Sequence, residues 1–258
     1  MRIKLVLTGG GTRGIYQIGV IKALQESQLW DSIVSISGCS IGAINGAAIL
    51  QYPIDKVYEL WMEIAKREIF EGIDQQASDF YVQIAKESIL NDGVNINPFI
   101  GFFEEYLDED IIRESDKEFV ITAYNVSDLK QEYFSLDTIS KGQLIDHVVA
   151  SSRLPFFQPI YINEKKYIDG GVGDNQPYFS FLENKHFDLI ITIKIMYIPY
   201  YIPGLRIDNI TADDNLVIAS KKYLGNPLNF KKPTFKEKFD IGYADGLEAI
   251  ENYKKNFM

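Results

Sequence analysis

The chain has 258 residues and a mass of 29.5 kDa, enough for one large domain with a sizeable core. Apolar residues make up 46% and charged residues 24%, which excludes collagen-like, low-complexity and disordered chains. Lys and Arg total 26 against 36 Asp and Glu, a net charge of −10. A chain this acidic repels phosphate backbones, so no nucleic acid partner is expected. Cys39 is the only cysteine and there are 2 histidines, so an internal disulfide and a Cys/His zinc cage are both excluded. The apolar N-terminal run is broken by Gly9 too early for a secretory core. The longest apolar stretch, residues 41–50, is about half a membrane span. The expectation is a soluble, cytoplasmic protein whose membrane contact is at most peripheral and transient. The 16 Tyr, 16 Phe and 2 Trp either fill a core or line an apolar substrate site.

Residues 3–7 are apolar and β-prone apart from Lys4, and glycines follow at once. Ile15, Ile18, Ile21 and Leu24 then recur at helical spacing, predicting a helix over 14–26. A second strand is expected at 33–37, a turn at 38–42 and a buried helix at 41–50. This β-turn-α-β-turn-α opening points to an α/β fold with a mostly parallel central sheet flanked by helices. Residues 53–107 read as helical, with Asn97 as cap before Pro98. They could form a cap over a site or lie plainly on the sheet. Further strands are expected at 118–125, 131–136, 166–168, 187–196 and 216–219, with helices at 144–151 and 235–257. No linker, repeat or charge block divides the chain, so one domain spans 1–258.

Three places carry chemistry. Gly9-Gly10-Gly11-Thr12-Arg13-Gly14 lies between a strand and a helix. Such a loop can cradle a pyrophosphate or aim N–H groups at an oxyanion. The dinucleotide reading also needs an acid at the end of the second strand, and Ser37-Gly38 stands there. Gly38-Cys39-Ser40-Ile41-Gly42 fits the nucleophile-elbow pattern, with Ser40 on a tight strand-to-helix turn. Cys39 beside it reads as a small buried filler. Serine needs a base. His147 and His186 are the two imidazoles, and His186 follows Asp169, an order compatible with a triad. Ser40 comes too early for the α/β-hydrolase order. The third place is Asp169-Gly170-Gly171, an acid on a tight turn at a strand end, where α/β proteins build sites.

The glycine loop GGGTRG, the elbow GCSIG and the DGG turn, in that order, resemble the patatin-like phospholipases. The stretch ASSRLPFFQPIYINEKKYIDGGVGDNQP is similar to that family's region around its acid. The resemblance implies a three-layer α/β/α fold and a carboxylic ester hydrolase acting on phospholipids or lysophospholipids. It implies a Ser-Asp dyad, Ser40 as nucleophile and Asp169 as base. It also implies an oxyanion hole from Gly9, Gly10 and Gly11, Arg13 beside it at the substrate, and no metal or other cofactor. Arg13 would hold a lipid phosphate or pin the loop. A Ser-His-Asp esterase using His186, a nucleotide-binding module and a signal-gated, membrane-degrading effector of the same fold remain as alternatives. The loop at 197–204, rich in Tyr and Pro, is expected as an interfacial lip or as packing on the body.

Overall fold

The computed structural model describes residues 1–75, 77–196, 202 and 204–257. The chain opens with β1 (Ile3–Leu7), α1 (Ile15–Gln25), β2 (Ile33–Cys39) and α2 (Ile41–Gln51). Helices α3 (Ile54–Ile64), α4 (Phe80–Leu90), α5 (Asn97–Tyr106) and the short α6 (Glu109–Arg113) follow. Then come β3 (Glu118–Asn125), β4 (Lys130–Ser135), α7 (Leu144–Ala150), β5 (Ile160–Ile162) and β6 (Lys165–Asp169). The chain closes with β7 (His186–Lys194), β8 (Thr211–Ala219) and the long α8 (Lys232–Phe257).

Among the described residues the strands form one sheet in the order β5-β6-β3-β2-β1-β7-β8, with β4 also paired to β3. Strands β3, β2, β1, β7 and β8 run parallel, while β4 and β6 pair antiparallel with β3 and β5 pairs antiparallel with β6. The result is the expected three-layer α/β arrangement on a mixed sheet. Its layers are unequal. Leu5, Leu7, Ile191 and Ile193 face a thick helical layer that holds α1, α2, α3 and α8. On the other face Val6, Phe187 and Ile190 pack under Tyr178 and Leu182, so a non-helical stretch covers that side.

Helix α2 is buried along nearly its whole length, because it lies between the sheet and α3. Alternation reveals the strands that are half exposed, and continuous apolar runs reveal those that are covered on both faces. Strand β8 starts five residues before the expected 216, since Asp213, Asp214 and Asn215 gave this edge strand no apolar signal. Strand β5 and helix α6 were not expected; both are too short to show a period. Residues 53–107 hold three helices with turns between them. The expected Asn97 cap is corrected: Asn97 is already the first residue of α5, Ile96 stands at the N-cap with no side-chain cap bond, and Asn95 Oδ1 accepts the Asn97 N–H at 2.8 Å. The expected 197–204 lip falls almost wholly outside the described residues.

Candidate active site

Ser40 stands between the end of β2 and the start of α2 with φ 54° and ψ −128°. A non-glycine residue in the left-handed region is strained and marks a site where geometry overrides comfort. The turn closes tightly because Gly42 carries no side chain. A Cβ there would stand 2.2 Å from the Leu7 carbonyl oxygen, so α2 can start close against β1. The Ser40 N–H donates to Ser151 Oγ at 2.8 Å, fixing the elbow from the turn after α7.

Register brings the acid to the serine. Strand β2 pairs with β3 as far as Cys39↔Thr122. Strand β6 takes over the same edge of β3 at once, with Ala123↔Asp169. Both must use one edge, because β4 occupies the other along 120–125. The ends of β2 and β6 therefore meet head-on, and Ser40 and Asp169 with them. Asp169 Oδ1 accepts the Gly171 N–H at 2.7 Å and lies 3.9 Å from Cys39 Sγ. Oδ2 is buried and has no hydrogen-bond partner among the described residues. Burial raises the Asp169 pKa from 3.8 to about 6, with the Ser40 hydroxyl and the Gly171 N–H pulling it back. The hydroxyl thus feels the carboxylate without a well-formed hydrogen bond. A carboxylate near 6 is a better base than an ordinary one and is still mostly ionised at neutral pH. Burial first, and Asp169 second, hold Cys39 as a neutral thiol, which agrees with its reading as filler.

The glycine loop lies beside Ser40, and its donors are not equivalent. The Gly9 N–H donates to Asn175 Oδ1 at 2.9 Å, and Thr12 N–H donates to the Pro227 carbonyl at 2.7 Å. The N–H groups of Gly10 and Gly11 have no acceptor among the described residues. Of the three expected oxyanion donors, Gly9 is therefore already engaged as a loop anchor. Arg13 Nε donates to the Gly225 carbonyl at 2.8 Å, and its guanidinium lies 5.7 Å from the Tyr223 ring centroid.

Asn175 was missed in the sequence because an Asn after a glycine turn reads as ordinary loop chemistry. Ser151 was missed for a similar reason. Its hydroxyl holds Ser40 while its carbonyl accepts the Gly170 N–H at 3.3 Å, so one residue ties nucleophile to acid. The histidines do not join them. His186 is exposed and bonded to Thr211 and Asp213. It begins β7 before Leu189, the residue level with Ile3, whereas Ser40 follows Gly38, level with Leu7. It stands at the opposite end of the sheet, which overturns the triad reading. His147 is buried on α7, with Nδ1 on the Gln143 carbonyl and its ring against Phe134.

A pocket of about 860 Å³, open mouth included, runs from Ser40 into the helical layer. Its walls include Val57, Leu60, Trp61 and Ile64 of α3 and Phe99, Phe102, Phe103 and Tyr106 of α5, both sets at helical spacing. The abundant rings are thus core and site lining at once.

The patatin-like phospholipase family model matches residues 5–182. The chain belongs to the patatin-like phospholipase family. Membership agrees with the expected class, a carboxylic ester hydrolase acting on lipids. A probable lipid hydrolase, 463L, of Invertebrate iridescent virus 6 is 24% identical over 76% of this chain and 71% of its own length. The lysophospholipase nte1 of Aspergillus terreus is 34% identical over 67% of this chain, which spans only 10% of that protein. VipD from Legionella pneumophila shares the fold with a TM-score of 0.55 at 16% identity, over 97% of this chain and 67% of its own. No helix among the described residues is long and apolar enough to cross a membrane.

Proposed function

We propose that this member of the family hydrolyses acyl esters of phospholipids or lysophospholipids through a Ser40–Asp169 dyad and an acyl-enzyme. The observation that carries the reading is the unpartnered Asp169 Oδ2, buried beside a strained serine at the mouth of an apolar pocket. A buried oxygen without a partner is costly unless it has work to do.

Asp169 takes the Ser40 proton as Ser40 Oγ attacks the ester carbonyl. The Gly10 and Gly11 N–H groups hold the oxyanion; each such donor is typically worth roughly 3–4 kcal/mol. The proton passes from Asp169 to the leaving alcohol, and the acyl group stays on Ser40. Water, giving its proton to Asp169, then releases the fatty acid. Asn175 keeps the glycine loop in place for both steps. Arg13 pins the loop at 223–225 beneath the glycine turn, which its bond to Gly225 favours over a phosphate contact.

Lipid reaches the pocket from a membrane surface at α4. That helix exposes Tyr81, Val82, Ile89 and Leu90. It joins the site through Phe80 on Phe70, a pocket residue, and Ser88 on the Phe156 carbonyl. Residues 53–107 thus act as the helical cap.

The test is labelling with a fluorophosphonate, with mass spectrometry to find the adduct, beside release of fatty acid from phosphatidylcholine and lysophosphatidylcholine vesicles. An adduct on Ser40 that Asp169→Asn suppresses is expected. Folded protein that labels on another residue, or releases fatty acid equally well as Ser40→Ala, would sink the dyad.

A further inference from the structure

The pocket leading from Ser40 has one wall that serves as a ruler. Ile41, Ile44, Asn45 and Ala48 of α2 all line it, a spacing that places them along one face of the helix. With about 1.5 Å of rise per residue, Ala48 stands roughly 12 Å beyond Ser40. Tyr106 and Leu107 form the wall beside the last turn of α2, the end of that helix farthest from Ser40. The Tyr106 carbonyl accepts Gln51 Nε2 at 3.1 Å and the Tyr52 hydroxyl at 2.6 Å. The next residue, Asp108, gives its N–H to Gln51 Oε1 at 2.8 Å. The floor is therefore bolted to the same helix that begins at the nucleophile.

Apart from the Ser40 hydroxyl and the Gly11 N–H at one end, the polar side chains of the wall are paired. Asn45 is the one carboxamide on the wall. Its Oδ1 accepts Trp61 Nε1 at 3.1 Å, and its Nδ2 donates to the Gly14 carbonyl at 2.9 Å and to Gln17 Oε1 at 2.8 Å. No side chain of the wall carries a buried orphan polar atom among the described residues. Such a cavity accepts an apolar occupant and rejects a headgroup.

We infer that the pocket is a measured acyl-chain site and that Ala48 is the residue that lets long chains through to the floor at Tyr106–Leu107. An extended chain advances roughly 1.2 Å per bond, so the Ala48 level corresponds to about the tenth carbon and the floor to about the fourteenth. The methyl side chain of Ala48 leaves the passage open; a larger side chain there blocks it beyond medium-length acyl groups. The inference rests on the acyl-ester reading for its catalytic readout, and its binding readout stands apart from that reading.

The experiment uses Ala48→Leu and Ala48→Phe beside the unaltered protein, each checked for folding by thermal melting. Rates are taken on p-nitrophenyl butyrate, octanoate, laurate and palmitate. Binding of octanoic, lauric and palmitic acids is measured by calorimetry in parallel. The unaltered protein should favour laurate and palmitate over butyrate. The palmitate-to-octanoate ratio should fall at least about tenfold in Ala48→Phe and less in Ala48→Leu, with affinity for palmitic acid falling alongside. Leu107→Ala should raise the preference for the longest chain. If Ala48→Phe does not fold, Ala48→Leu decides alone. An unmoved ratio and unmoved fatty-acid affinities in a folded variant would overturn the inference. Fatty-acid binding that steps at Ala48, in a protein that cleaves no ester, would uphold the pocket and overturn the hydrolase reading instead.

Discussion

The sheet holds two buried groups of polar side chains, Lys4 with Ser35, Glu118 and Ser180 at one end, and Ser40 with Asp169 at the other. In the first, Lys4 Nζ donates to Ser35 Oγ at 2.8 Å and stands 3.9 Å from Glu118 Oε2. Glu118 accepts Ser35 Oγ, Ser180 Oγ and the N–H groups of Phe181 and Leu182. Burial lowers the Lys4 pKa to about 8 against the pull of Glu118, yet every group has a partner. In the second, Asp169 Oδ2 has none among the described residues and Ser40 is strained. Equal burial with unequal satisfaction separates a brace from a reactive centre. The brace joins β1, β2 and β3 to the non-helical cover on the far face. The Ser40–Asp169 pair keeps one buried acceptor without a partner among the described residues.

The contrast can be broken most sharply at Asp169. Asp169→Asn should lower kcat/KM for ester hydrolysis by roughly 10⁴-fold, the upper range for losing a general base. The same change should stabilise the protein. The folded pKa is about 6 against 3.8, so folding favours the neutral acid. Stability from this group is whole below about pH 4, declines as pH rises, and is gone above about pH 6. The Asn variant should therefore match the unaltered protein in urea unfolding at low pH and exceed it above pH 6 by up to about 3 kcal/mol. Equal stability at pH 8 would show that the carboxylate is not strained by burial.

Glu118→Ala should do the reverse. It leaves Lys4 buried and unpaired, a change worth about 3–5 kcal/mol of stability, visible as a lowered melting temperature. The rate per folded molecule should hold, since Glu118 touches nothing at Ser40. Asn175→Ala sits between the two cases. It frees the Gly9 N–H and loosens the glycine loop, so kcat should fall by roughly 10–100-fold with KM little changed. In pH profiles of the unaltered protein, kcat/KM should drop about tenfold per pH unit below about 6, as Asp169 takes a proton. The smallest expected change in stability is that of Ser40→Gly, which removes the side chain from a φ of 54°. It should raise stability by about 1 kcal/mol while abolishing labelling.

The α/β class, the elbow at Ser40 and the acid at Asp169 were legible because each is written in local chemistry. A strand period followed by glycines and then a helical period marks a site-building turn without any knowledge of the rest of the chain. The resemblance of three ordered motifs added the family, and the family match upholds it. Local chemistry could not say which titratable group stands beside Ser40. His186 and Asp169 were both open on order alone, and strand register brings Asp169 there: β6 ends against β2, while His186 begins β7 at the far end.

The tertiary structure alone decided the rest. Gly9, Gly10 and Gly11 look alike in the sequence, yet only Gly9 meets Asn175 Oδ1, so its amide is the engaged one. Asn175 and Ser151 act through contacts 166 and 111 residues distant in sequence, and no period or motif encodes a partner that far away. Lys4 broke an apolar strand pattern and is nevertheless fully buried, because Ser35 and Glu118 stand beside it on neighbouring strands. The rings of α3 and α5 were visible as helical stripes, but whether a stripe seals a core or lines a cavity depends on what packs opposite. Sequence sets each residue's chemistry and local period; the sheet register and the helix packing determine which of those chemistries meet.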